Sequence, residues 1–363
     1  MNLHIRATVL PERRDRDVFV VDGVIAEDAG GADVTTVLEG AYLLPGLVDA
    51  HAHLPFAGPA PDGSWEDKAR ANARAHLDAG VLAVRDPGGP TPPGIGPAEG
   101  LPRTFTAGRF LAVPGGMFPE HGQIELPEER IPEAAEEQFR ASGGWVKLIG
   151  DFPVPGGGIL SRFRPETLAE VSRRVHALGG RVTIHAFLPD TIGAAVDAGF
   201  DAIEHGVMLR ADQAAEMARK GTALVPTLSG LENWPEILGM FGAPAEEVER
   251  AAEALRRHPA TVRTAWESGV QVYAGTDAGL VDHGLVRREV RALRDAGMPA
   301  EDALGAASWR ARTFLGLPGM EAGAPADLVA FEHDPLEDPA ALEEPVLIVL
   351  DGRVVRSPRT VTR

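Results

Sequence analysis

No cysteine occurs anywhere in the 363 residues. That excludes disulfides and thiolate metal ligands, so any zinc-like centre must draw on histidine, carboxylates or a modified lysine. Basic residues are also scarce relative to acidic ones, 35 against 53, for a formal net charge of −18. Such a charge repels nucleic-acid phosphates and anionic membrane surfaces, so neither is expected as a partner. No stretch approaches 18 uninterrupted apolar residues, and the first twenty carry Arg and Asp throughout with no apolar signal-like region, which sets a cytoplasmic protein as the expectation. What remains is ordinary globular composition, 44% hydrophobic and 24% charged. The length suits one large barrel domain plus a minor one.

From Gly46 to Gly316 one unit recurs: a short apolar run, a loop with chemically active residues, then an Ala/Leu/Arg/Glu helix closed by glycine. This rhythm predicts parallel α/β architecture. Eight strands are expected, over 43–54, 81–86, 104–110, 145–151, 181–187, 202–206, 223–228 and 270–277. Helices are expected over 164–179, 190–199, 212–221, 243–269 and 302–316, several with Pro near the start and Gly past the end. Eight such units favour a closed (β/α)8 TIM barrel over 45–322. Residues 1–44 and 323–363 break the rhythm with short strand-like runs and turns such as Asp351-Gly352, and are expected to pair into one small β-sandwich. Pro- and Gly-rich stretches at 90–102 and 113–132 are expected to be long loops forming a lid or substrate wall.

His51-Ala-His53 falls where an apolar strand ends, and side chains two apart on a strand point the same way. Both imidazoles can reach one metal; alone, the pair also fits two histidines bonded to loop carbonyls. The odds change because Lys147, His185, His205 and Asp277 each sit at the C-terminal end of a different expected strand, and in a barrel those ends converge on one mouth. His76, His176, His4, His333, His258, His121 and His283 fall in helices, terminal fragments or loops, where solvated or locally bonded roles are expected. Lys147 lies in the otherwise apolar run Trp145-Val-Lys-Leu-Ile149, where an uncompensated ammonium is costly. Its charge is met either by a carboxylate such as Asp151 or Asp277, or by carbamylation to an anion that bridges two cations. A metal centre here requires the second solution, since an ammonium would repel the ions. Asp277, in Ala274-Gly-Thr-Asp-Ala-Gly279, fits either a turn role or catalysis.

At this point the sequence resembles the amidohydrolase superfamily. Leu44-Pro-Gly-Leu-Val-Asp-Ala-His-Ala-His53 is similar to its strand-one signature, and Ala326-Asp-Leu-Val-Ala-Phe331 to its C-terminal element. Val84-Arg-Asp-Pro-Gly-Gly89, Gly108-Arg-Phe110 with Gly115-Gly116, Val182-Thr-Ile-His185-Ala186 and Ala202-Ile-Glu-His-Gly206 resemble the branch of Xaa-Pro dipeptidases, metal-dependent carboxypeptidases and imidazolonepropionase-related proteins. The resemblance implies two divalent ions, zinc being the expected metal, with His51, His53 and Asp277 on the first, His185 and His205 on the second, and N6-carboxylysine at Lys147 between them. It further implies amide hydrolysis by a metal-bridging hydroxide, with Asp277 as proton shuttle.

Two departures stand out. The histidine that often follows the paired glycines after strand three is displaced here to His121, in Gly115-Gly-Met-Phe-Pro-Glu-His121, and strand four runs into the unusual loop Gly150-Asp-Phe-Pro-Val-Pro-Gly-Gly-Gly158. The expected partner is a small-molecule substrate, a small amide or dipeptide-like compound, with Arg85, His121, Arg162 and Arg210 as candidate substrate contacts. A homo-oligomer is compatible with the chain. Rival readings are a mononuclear deaminase, which usually carries a Glu three residues after the strand-five histidine where this chain has Leu188 in His185-Ala-Phe-Leu-Pro189, an imidazolonepropionase-like cyclic amide hydrolase, and a catalytically silent binding protein on the same barrel.

Overall fold

The computed structural model describes residues 1–58, 62–118 and 121–357. Its body is α/β with parallel strands. Leu47–Asp49 pairs with Val81–Asp86, and that strand with Arg103–Thr106, all parallel. A second parallel set runs Leu111–Ala112, Trp145–Ile149, Arg181–Ala186, Ala202–His205, Ala223–Val225. These strands are buried runs of small and β-branched side chains, as parallel strands covered by helices must be. The covering helices include Trp65–Asp78, Ile131–Ser142, Pro165–Ala177, Pro189–Asp197, Ala211–Lys220, Ala245–Glu267 and Val286–Asp295. Local chemistry sets their ends: Ser64 and Asp67 form a capping box at the first, and Gly143 and Gly221 close two others at left-handed φ of 79° and 77°. No helix among the described residues is long and apolar enough to cross a membrane.

Several expected elements differ, each for a visible reason. The expected third strand breaks after Arg103–Thr106 at Gly108, whose φ is +68°, and resumes as Leu111–Ala112. The segment 271–274 is not a regular strand, yet it is bonded on both sides: Leu224 N donates to Gln271 O, Tyr273 N to Leu224 O, and Ala50 N to Ala274 O at 2.8–3.0 Å. The expected final helix is two, Ala300–Gly305 and Trp309–Phe314, because the carbonyls of Ala306 and Ala307 leave the helical ladder to accept from Ala274 N and Val48 N.

Both chain ends enter one seven-stranded sheet, ordered Arg353–Arg356, Pro345–Leu350, Leu328–Phe331, Val34–Pro45, Asn2–Val9, Arg14–Val21, Val24–Ala26. Its buried face carries its own cluster, including Leu3, Ile5, Val20, Leu43, Leu328 and Val349. The expected strand 43–54 is therefore divided: Val34–Pro45 belongs to this sheet and Leu47–Asp49 to the body, with Gly46 between them where a Cβ would lie 2.5 Å from Leu82. The last six residues, 358–363, lie outside the described residues, as do 59–61 and 119–120 in the expected loops.

Candidate metal centre

The strand register brings the expected residues together. Lys147 lies opposite Thr183, Ile149 opposite His185, and Ala186 opposite His205, so successive strands carry their polar side chains in a stagger of one or two residues toward the same strand ends. His51, His53, Lys147, His185, His205 and Asp277 all line one cavity of about 540 Å³, mouth included. All six are buried. His205 and Asp277 hold left-handed φ of 70° and 55°, as does Thr227 beside them at 50°, conformations that non-glycine residues adopt at a cost and that turn these side chains off the strand line.

Three of the imidazoles are fixed by what holds their far nitrogen. His51 Nδ1 lies 2.6 Å from Glu204 Oε2, and His53 Nδ1 lies 2.7 Å from the carbonyl of Gly88. His205 Nδ1 lies 2.7 Å from Thr227 Oγ1, whose own proton goes to Pro226 O at 2.8 Å. Each acceptor calls for Nδ1–H, so in the neutral ring the lone pair is on Nε2. Those nitrogens converge: His51 Nε2 and His53 Nε2 are 3.2 Å apart, and each is 3.2 Å from Asp277 Oδ1. Ligand atoms of His51, His205 and Asp277 all lie within 4.8 Å of one another. Lone pairs and a carboxylate oxygen facing one another repel unless positive charge lies between them, and N/O donors of this kind suit zinc and similar divalent ions.

The electrostatics agree. Burial opposes charge on His53, but Asp277 and Asp86 outweigh it and lift the imidazole to about 9, so the site draws positive charge to this point. Burial likewise works against the Asp277 carboxylate, yet His51 and His53 hold it well below the usual range. His185 is pushed down to about 3 by burial and then by Lys147, and its buried Nε2 has no hydrogen-bond partner, with Asp151 Oδ1 3.7 Å away.

Lys147 makes no ion pair with Asp151 or Asp277, the carboxylates expected as its alternative partners. Asp151 instead accepts from the backbone N–H of Phe187 and Leu188 at 2.9–3.0 Å. Burial lowers the lysine to about 8, with Glu204 and Asp277 acting against the shift, which brings the neutral amine within reach near neutral pH.

The expected substrate contacts divide. His121 lines the cavity, edge-on to Phe56 at 4.8 Å between ring centres. Arg85 does not reach the cavity: it is fully buried, donating from Nε to Ala50 O at 2.7 Å and from Nη2 to Glu204 Oε1 at 2.6 Å, over the Trp145 ring. Its Nη1 has no hydrogen-bond partner among the described residues, but the guanidinium is fully buried and not part of the cavity lining, so it does not meet substrate there. Arg162 turns aside to the carbonyl of Pro114 at 2.8 Å, and Arg210 lies half-exposed at a helix start, paired with Asp212.

Sequence reasoning missed Glu204. It joins His51, Arg85 and the Thr183 hydroxyl with no exposure at all. Burial would push its carboxyl up, but Arg85, then His51 and Lys147, hold it well below the usual range. The signal was present: a carboxylate in the apolar run Ala202-Ile-Glu-His205 raises the same question as Lys147 in its strand. The aromatic wall of Phe118, Phe152 and Trp234 was also missed, because it is assembled from a loop, the short strand Asp151–Pro153 and the start of the helix Trp234–Met240.

A family model for the amidohydrolase family matches residues 42–355. An uncharacterized protein of Mycobacterium tuberculosis is 42% identical over 359 residues, spanning 97% of this chain and 95% of that protein. Ochratoxinase of Aspergillus niger is 27% identical over 260 residues, 66% of this chain and 52% of that enzyme. The crystal structure of a Xaa-Pro dipeptidase with methionine bound in its active site shares the fold, with a TM-score of 0.81 at 23% identity over 98% of this chain and 100% of that one.

Proposed function

The chain belongs to the amidohydrolase family, and from that premise we propose that it hydrolyses the C–N bond of a small amide or dipeptide-like molecule at a centre of two divalent ions, with zinc as the metal. The observation that carries this reading is the convergence of His51 Nε2, His53 Nε2 and Asp277 Oδ1 within 3.2 Å, with both Nδ1 atoms already committed to acceptors. On this reading His51, His53 and Asp277 hold one ion and His185 and His205 the other. Lys147 bridges them as N6-carboxylysine: the neutral amine adds to CO2, a C–N bond forms, and the displaced proton leaves to solvent. Bound there, the ions supply polarisation of the scissile carbonyl and acidification of water.

The chain's own residues do the rest. Asp277 accepts the proton of the attacking water and returns it to the leaving nitrogen, from a position between the two first histidines. Glu204, Gly88 O and Thr227 keep the imidazoles in the donor-ready tautomer. The aromatic wall excludes bulk water from the reacting bond. The same reading takes the parallel strands of 45–322 as a closed (β/α)8 barrel, supported by the bonds of 271–274 to Leu224 on one side and Ala50 on the other, with 1–44 and 323–363 as a companion β-sandwich domain.

A single-ion centre is the second reading, favoured by the tight cluster of His51, His205 and Asp277. Elemental analysis separates the two, on protein expressed with zinc and bicarbonate beside Lys147→Ala prepared identically. About two metals per chain, falling in the variant together with loss of hydrolysis across an amide and dipeptide panel, is the expected result. One metal, unaffected by the substitution, would overturn the bridging lysine and move a mononuclear deaminase to first place.

A further inference from the structure

The walls of the cavity carry little that could receive charge. Beyond the candidate ligands they are formed by Phe56, Phe110, Phe118, Phe152, Leu231 and Trp234 among others. Among the described residues that line it, the one Lys or Arg side chain is Lys147, which belongs to the centre itself. None of the three arginines that the sequence put forward as carboxylate clamps lines it: Arg85 is bonded to Glu204 and Ala50, Arg162 to the carbonyl of Pro114, and Arg210 to Asp212. Among the described residues, a substrate carboxylate seated on this wall would meet His121 as the one titratable side chain outside the candidate ligands and no Lys or Arg, so it would lose its hydration without gaining a permanent cation, which is disfavoured. An aromatic group would gain instead, since Phe118, Phe152 and Trp234, with ring centres 5.0–6.4 Å apart in edge-on pairs, give the cavity an aromatic lining.

Besides His185 Nε2, one polar group of the residues lining the cavity lacks a partner among the described residues. Trp234 is 3% exposed, and its indole Nε1 is buried with no hydrogen bond among the described residues. A donor left this way is uncommon in a folded chain, and because Trp234 lines the cavity an acceptor on a bound molecule would be one way to satisfy it. An N–H dipole on an apolar wall matches a neutral acceptor, such as an ether, a second carbonyl or a phenol oxygen. Selection against charge and selection for a neutral acceptor point to the same class of compound.

We propose that the substrate is an uncharged amide bearing an aromatic or bulky apolar group next to the scissile bond, and not a dipeptide that ends in a free carboxylate. This rests on the hydrolase reading above and narrows its substrate. The test uses metal-loaded full-length protein and two compounds that differ only at one position, N-benzoyl-2-phenylethylamine and N-benzoylphenylalanine, the second carrying a carboxylate where the first has hydrogen. Amine release gives kcat/KM, and isothermal titration gives Kd independently of turnover.

The neutral compound is expected to be favoured about tenfold or more in both. Phe118→Arg, at a part-exposed loop position, is expected to shift the preference toward the carboxylate by a similar factor. Equal or better handling of the carboxylate compound, or no saturable binding of the neutral one, overturns the inference. Preferential binding of the neutral compound without cleavage supports it while overturning the hydrolase reading, so the two failures are distinct.

Discussion

Glu204 illustrates how much of the centre depends on a residue that faces away from the cavity. Its two oxygens serve His51 Nδ1 and Arg85 Nη2 at 2.6 Å each, and neither partner has any exposure. Glu204→Gln keeps the shape but removes the charge, so His51 loses its ionic orienting partner and Arg85 is left as a buried unpaired cation. Metal affinity is expected to fall about 10–100-fold in a chelator competition. Urea unfolding is expected to show a loss of about 3–5 kcal/mol. Unchanged metal affinity would mean that His51 is held by packing alone. Arg85 shows the opposite lesson. An arginine at a strand end reads equally well as a substrate clamp or a buried counter-ion until the position of its carboxylate partner, 119 residues away in sequence, is known.

The elements meet at glycines whose hydrogen is the only substituent that fits. Gly275, in the irregular segment beside the first strand of the body, is the sharpest case: a Cβ there would lie 2.5 Å from His51 Cβ, 2.6 Å from Val225 Cγ1 and 2.9 Å from His51 N. A backbone atom cannot rotate aside, so Gly275→Ala must move one of the two segments. A cost of about 1–3 kcal/mol is expected. Because one segment carries His51 and the other Asp277, metal content should drop with it; elemental analysis of the purified variant retaining full metal would show that the two segments part without disturbing their ligands. The same crowding explains why periodicity read this region only in part. Segment 271–274 is hydrophobic like a strand, but it keeps only one parallel bridge, Leu224 with Val272, before its remaining bonds go to Ala50 N and to Ala306 O, while Ala307 O of the same opened helix turns to Val48 N.

Across the whole molecule, one carboxylate joins the terminal sheet to the body. Asp327, 1% exposed, accepts from Arg103 Nε at 2.7 Å, from Arg312 Nη2 at 3.4 Å and from the backbone of Asp351 at 2.9 Å, while its own carbonyl accepts from Gly46 N at 2.9 Å. Asp327→Ala leaves Arg312 buried without its counter-ion. Urea unfolding should show a loss of about 3–5 kcal/mol, with metal stoichiometry of the folded protein unchanged because none of these groups lines the cavity. A change below about 0.5 kcal/mol would show that apolar contacts alone hold the sheet in place.

The sequence by itself determined the alternating α/β rhythm, the separate character of the two chain ends, and the six polar residues at the ends of apolar strands, since burying His, Lys or Asp in such runs is costly and marks a site wherever it occurs. It also restricted the donors to nitrogen and oxygen, through the absence of cysteine. Only the tertiary structure decided which nitrogen of each imidazole faces the cavity, that Lys147 pairs with neither Asp151 nor Asp277, that Glu204 and not a substrate is the partner of Arg85, and that the cavity wall is aromatic and without a free guanidinium. The physical reason is range. Burial cost and strand periodicity are properties of a residue and its neighbours in the chain, whereas tautomer, ion-pair choice and wall composition depend on groups tens to hundreds of residues apart that meet only when the chain folds.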